Sequence, residues 1–177
     1  SFFDQPQSIT LNQTVVGTIG GEDVDYFVVE AKKGQRICAE VEAMRLGSAL
    51  FDPYVAILNE KRFELSAADD TPLVNQDAIA SVIAPEDGKY IIQIRETAFG
   101  GGSNYRLHIG TFPRPLAVYP AGGKLGEEVE VKFLGDPAGE FTQKFKLPTA
   151  DSKEFTGLFA TAGSEIAPSP NPFRLFE

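Results

Sequence analysis

The six aspartates Asp23, Asp25, Asp52, Asp69, Asp70 and Asp77 stand at turns and segment starts, where their chemistry has two outlets. Clustered carboxylate oxygens suit a hard cation such as calcium, and a pair of carboxyls can run glycoside hydrolysis. Aspartates also populate such places because their side chains accept bonds from nearby backbone amides. The one histidine, His108, sits between Leu107 and Ile109 on a segment whose alternate residues point inward, so its ring is expected to face solvent. With no second histidine, no cysteine pair and no His-Glu-x-x-His pattern, neither a hydrolase triad nor a catalytic zinc is expected. Gly100-Gly101-Gly102 lacks the Gly-x-x-x-x-Gly-Lys pattern and reads as a hairpin loop. The lone Cys38 reads as a half-buried packing residue. Phe2, Phe3, Tyr54, Phe63 and Phe99, all near loops, are candidates for gripping a sugar or an extended peptide, although the chain has no tryptophan.

The elements that hold these residues read as strands. Phe27, Val29 and Ala31 recur at period two, and Ile37, Ala39, Val41 and Ala43 repeat the pattern after a tight turn at Lys33-Gly34. Two strands joined at that turn would bury one face each in a common core, leaving Arg36, Glu40 and Glu42 to water. Further strands are predicted at residues 14–19, 54–59, 63–66, 78–84, 89–95 and 104–109, with Tyr90, Ile92, Ile94, Tyr105, Leu107 and Ile109 inward. Asn59 to Arg62 reads as a hairpin turn. Pro85-Glu86-Asp87-Gly88 reads as a second turn, the proline presetting φ and the glycine taking a positive φ. No stretch carries a sustained helical period. About eight short strands at regular spacing predict an all-β antiparallel sandwich of the jelly-roll kind over residues 1–111.

At Phe112-Pro113-Arg114-Pro115 two prolines interrupt pairing and mark a boundary. Residues 112–177 predict a smaller β-unit with strands at 116–120, 126–134, 140–147 and 154–160, and the proline-spaced tail at 167–173 reads as a linker. A formal charge of -9 and a pI near 4.7 repel phosphate backbones, so nucleic acid is not an expected partner. No apolar run reaches the length of a membrane span, and Ser1 to Pro6 lacks the pattern of a signal peptide.

Residues 14–110 resemble the bacterial pre-peptidase C-terminal domain family. The resemblance is carried by Gly17-Thr18-Ile19, Asp23-Val24-Asp25-Tyr26-Phe27, Lys33-Gly34-Gln35-Arg36-Ile37, Asp52-Pro53, Asp69-Asp70, Pro85-Glu86-Asp87-Gly88-Lys89-Tyr90 and Tyr105-Arg106-Leu107. It implies a sandwich like those of carbohydrate-binding modules, appended to secreted proteases and other large extracellular proteins. Residues 112–177 resemble the immunoglobulin-like segment that follows such domains in very large planctomycete-type secreted proteins. Collagen-binding relatives hold calcium between an acidic linker and the sandwich, and Asp23, Asp25 and Tyr105 match that motif, which makes them the implied calcium ligands. Gln5-Pro6-Gln7-Ser8 departs from the Glu-x-Glu-x-Asn-Asp type of linker. The expectation is a non-catalytic extracellular or cell-surface module for attachment or domain spacing, working beside the neighbouring domains of a larger protein. A calcium-dependent carbohydrate- or protein-binding domain is the first alternative. A glycosidase with paired carboxylates is the second and is disfavoured.

Overall fold

The alternation of apolar residues becomes two stacked sheets in the computed structural model, which describes residues 5–47, 51–100, 103–150, 155, 157–162, 165–167 and 173–176. The chain forms two compact units, Ser1–Thr111 and Phe112–Glu177. The first unit contains strands β1 Gln7–Ser8, β2 Gln13–Ile19, β3 Val24–Ala31, β4 Arg36–Glu42, β5 Pro53–Asn59, β6 Glu64–Ala68, β7 Ala78–Ile83, β8 Gly88–Glu96 and β9 Ser103–Gly110. A five-stranded sheet runs β1-β3-β8-β5-β6 and a four-stranded sheet runs β2-β9-β4-β7. All pairings are antiparallel except the short β1 on β3. Successive strands from β2 onward cross between the sheets, with the β5–β6 hairpin as the exception. This is the strand order of a jelly roll, as the spacing predicts.

That wrap corrects one expectation. β3 and β4 do not pair with each other: β3 lies between β1 and β8, and β4 lies between β9 and β7. The Lys33-Gly34 turn, with Gly34 at φ 82°, therefore arches across the core instead of closing a hairpin. The shared core is nonetheless as read. Phe27, Val29, Ile37, Val41, Val55, Ile57, Ile92 and Leu107 meet there with the rings of Tyr90 and Tyr105.

Three further readings change. Cys38 is fully buried where half-burial is expected, and Glu40 is only 7% exposed although its strand position predicts water. Gly88 opens β8 without a positive φ, because Pro85 to Asp87 complete the turn before it. The segment after β4 makes one 3-10 turn at Met44–Leu46.

The second unit holds β10 Ala117–Tyr119, β11 Gly122–Lys124, β12 Glu128–Leu134, β13 Phe141–Lys146, β14 Ala160–Ala162, β15 Glu165–Ala167 and β16 Arg174–Phe176. β10, β12 and β13 form one antiparallel sheet, β14 pairs with β15, and β16 pairs in parallel with β11. Val131 and Phe133 are buried among Val118, Leu147, Leu158 and Phe173, while Glu128, Glu130 and Lys132 face water. The strand expected at 154–160 is displaced: the described residues before Ala160 carry no strand, and pairing begins there. The tail reading also changes at its end, since Phe173 is buried and β16 returns to the unit. Residues 168–172 lie outside the described residues. No helix among the described residues is long and apolar enough to cross a membrane.

Candidate functional site

Two of the three implied calcium ligands are joined. Asp25 and Tyr105 stand on β3 and β9 in opposite sheets, and the Tyr105 hydroxyl donates a 2.7 Å hydrogen bond to Asp25 Oδ2. The Tyr105 ring is fully buried and stacks on Phe51 at 6.4 Å between centroids. Burial first, then the bond to Asp25 and the nearness of the Asp25 and Asp23 carboxylates, push its phenol far above the usual range. The hydroxyl is therefore a fixed donor. Asp23 Oδ1 meanwhile accepts the amide of Val24 at 2.8 Å. Calcium takes six to eight oxygens, whereas among the described residues no group of three or more His, Cys, Asp or Glu side chains gathers as a metal site. By themselves these three residues offer fewer oxygens than the ion takes, and the visible work of Asp25 and Tyr105 is to tie the two sheets together.

On the outer side of the five-stranded sheet, Arg95 and Tyr54 are cross-strand neighbours on β8 and β5. The Arg95 guanidinium lies over the Tyr54 ring at 4.0 Å and over the Phe99 ring at 4.8 Å. Its Nη1 donates to the carbonyls of Glu96 and Thr97, at 3.3 and 3.1 Å, which fixes the cation between the two rings. The Tyr54 hydroxyl donates to Glu64 Oε2 at 2.7 Å. Burial, followed by that carboxylate, pushes its phenol up to about 12. Phe99 adopts φ 60° and remains 45% exposed, and the amide of the next residue, Gly100, donates to Glu96 Oε2 at 2.6 Å. The loop thus holds an aromatic ring out at the surface. Tyr54 and Phe99 were legible as loop-side aromatics; Arg95, which unites them, was not, because nothing local marks a strand arginine as a bridge. Phe63 is 67% exposed at the β5–β6 turn. Phe2 and Phe3 lie outside the described residues.

Both tyrosines keep their protons in the folded chain beyond the pH near 10 at which a free tyrosine ionises. The unfolded chain then loses protons first, so their contribution is complete below about pH 10 and drains away as pH rises through the folded values. Denaturant unfolding from about pH 9 to about pH 12 should show this decline, and Tyr105→Phe should flatten it while costing about 1 kcal/mol at neutral pH.

His108 does lie on the outer face of the four-stranded sheet, but in company. Its Nδ1 is 2.9 Å from Thr14 Oγ1 and its Nε2 is 3.1 Å from Glu42 Oε2, which also faces Arg106 at 3.8 Å. A hydroxyl, an imidazole and a carboxylate in line are the parts of a triad, yet acyl transfer also needs a cleft with donors aimed at the oxyanion. This trio spans β2, β9 and β4 on a half-exposed sheet face. Glu40, the neighbouring residue on that face, is buried because Arg45 Nη2 reaches it at 2.7 Å, and Arg45 Nε also donates to Asp77.

Of the other aspartates, Asp77 is fully buried and accepts the backbone amides of Ala43 and Met44. Asp52 is raised from the ordinary aspartate value by burial and then by Asp70, Glu96 and Asp69, and its Oδ1 is buried without a hydrogen-bond partner among the described residues. A raised carboxyl among other carboxyls is a general-acid pattern, but glycoside hydrolysis needs both groups in one cleft. A hollow of about 390 Å³ is walled by Asp70, Thr71, Pro72, Leu73, Asn75 and Gln76, with one carboxylate, no aromatic ring and no part of Asp52. A second cavity, of about 380 Å³, opens between Glu30, Lys32, Gln35, Glu60, Asp87 and Lys89, where Lys32 Nζ pairs with Asp87 at 3.3 Å. It contains none of the six aspartates and not His108.

No family model matches the chain. No curated protein matches it either. Among solved structures, it is similar to the pre-peptidase C-terminal domain of a collagenase from Bacillus anthracis, at 18% identity and a TM-score of 0.48, over 59% of this chain and 94% of that one. It is also similar to PliG, a periplasmic inhibitor of g-type lysozyme, from two organisms. The Aeromonas hydrophila protein is 14% identical with a TM-score of 0.41, over 59% of this chain and 99% of that one. The Salmonella Typhimurium protein is 15% identical with a TM-score of 0.38, over 59% of this chain and 97% of that one.

Proposed function

We propose that the chain is a non-catalytic attachment module of a larger secreted or surface protein, in which the Ser1–Thr111 sandwich grips an extended extracellular polymer, polysaccharide or protein, and the Phe112–Glu177 unit spaces it from its neighbours. One observation carries the reading: Tyr54, Arg95 and Phe99 form a preorganised aromatic and cationic patch whose members are held by backbone carbonyls and a carboxylate. A ring already fixed in place loses little entropy on binding, and stacking suits both sugar faces and peptide side chains. The motifs shared with pre-peptidase C-terminal domains support the same reading and the extracellular setting. The engaged state of Asp23, Asp25 and Tyr105 favours a grip that does not depend on calcium.

The test is co-sedimentation of the purified chain with a panel of insoluble polysaccharides and fibrillar proteins, with calcium and with a chelator. Phe99→Ala and Tyr54→Ala, each checked for retained fold by circular dichroism, should weaken binding at least about tenfold, as central aromatic contacts do. Binding that ignores both substitutions, or hydrolysis of any member of the panel, would overturn the reading. Binding abolished by the chelator would reinstate the calcium-dependent alternative.

A further inference from the structure

The sandwich has four sheet edges, and three of them are guarded. β1 is two residues long. β6 carries Glu64 and an irregular register opposite Ile57 and Leu58. β7 is engaged at its edge, where the Ser81 amide donates to Ser66 Oγ at 3.1 Å. β2 is different. It runs seven residues, Gln-Thr-Val-Val-Gly-Thr-Ile, without a charge, a proline or a bulge, and among the described residues it pairs with β9 on one side only. Natural edge strands of this length are usually blunted by such devices, because their free amides and carbonyls template a further strand. Val16, at its midpoint, is 72% exposed.

We infer that β2 pairs with β2 of a second copy of this chain, antiparallel and about a two-fold axis through Val16. The sequence is self-complementary in that register. Val16 meets Val16, Thr14 meets Thr18 in both directions, and these residues share the outer face of the sheet, since their β9 partners are Arg106, His108 and Asn104. On the other face Val15 meets Gly17 and Gln13 meets Ile19. Valine on valine and threonine on threonine are favourable cross-strand pairs, and no like charges are opposed. A two-fold contact of this kind is isologous and closes on itself, so it yields a dimer with one continuous eight-stranded sheet from two four-stranded ones rather than a fibre. A single pair of strands buries less than a standard interface, so the association is weak. Two copies, each with a net charge of -9, repel, so it tightens with added salt, contrary to an interface built on ion pairs.

The register makes a specific test. Val16→Cys places two thiols opposite each other on the axis, whereas Thr14→Cys places its thiol opposite Thr18. Under mild oxidation at equal concentration, Val16→Cys should form the covalent dimer at least about tenfold faster than Thr14→Cys, and a mixture of Thr14→Cys with Thr18→Cys should regain the fast rate. Sedimentation velocity of the unmodified chain should show reversible dimers that Val16→Lys abolishes without lowering the melting temperature. Equal crosslinking rates for the two single variants, or a monomer at every concentration and salt, would overturn the inference. Dimers that persist in Val16→Lys would also do so, because they would place the contact elsewhere.

Discussion

Replacing Asp77 with alanine should cost about 3–5 kcal/mol of folding stability, the range for removing one partner of a buried ion pair. Asp77 is fully buried, and its Oδ1 accepts the amides of Ala43 and Met44 at 2.9 and 2.8 Å. Its Oδ2 takes the Arg45 amide at 3.4 Å and the Arg45 Nε. One carboxylate therefore satisfies the amides at the start of the 3-10 turn and holds the arginine that in turn buries Glu40. Alanine leaves those amides orphaned and a partly buried guanidinium short of a partner, and each such group retains its desolvation cost. Asn, which keeps the shape and an acceptor oxygen but not the charge, should cost roughly half as much. Urea unfolding followed by circular dichroism measures both, and a loss below about 1 kcal/mol for alanine would show that the turn is held by other means.

The second large effect is expected at Gly17, directly opposite Tyr105 in the β2–β9 ladder. A Cβ built there would overlap the hydroxyl end of the Tyr105 ring, at its Cζ, Oη and Cε1 atoms. That ring cannot step aside cheaply, since it is fully buried, stacked on Phe51 and bonded to Asp25. Gly17→Ala should therefore cost roughly 3 kcal/mol, the upper end for overpacking a well-filled core. The cause can be isolated by a double-mutant cycle. Tyr105→Leu, which vacates the space, should make Gly17→Ala much cheaper, whereas Tyr105→Phe, which keeps the ring, should not. Additive costs in the leucine background would refute the clash.

Much of this molecule was legible in its sequence. Period-two alternation identified the strands and the inward rings of Tyr90 and Tyr105, because which face of a strand is buried is set by residue parity alone. Whether neighbouring strands form a hairpin or an arch is not. β3 and β4 would show the same alternation and the same glycine turn in either case, and the choice depends on which distant strands compete for each edge. The site divides in the same way. Tyr54, Phe99, Asp25 and Tyr105 stood out by type and place, but their partners are set by the wrap: Arg95 joins Tyr54 to Phe99, and Asp25 meets Tyr105 across 80 residues. Asp77 gave no local sign of its role, because the amides it holds lie 32 to 34 residues earlier. Glu40 followed strand parity and would have been wet, had Arg45 not folded over it.

The pairing of β2 with β9 has a mechanical consequence. Gln13 is opposite Ile109, and the Asn12 carboxamide accepts the Thr111 amide at 2.9 Å, so the start of β2 and the end of β9 lie side by side. Tension applied through those two points would peel the ladder one rung at a time, like a zip, instead of loading all its bonds in shear. A strand pair built this way yields early under pull and can absorb a tug by paying out strand.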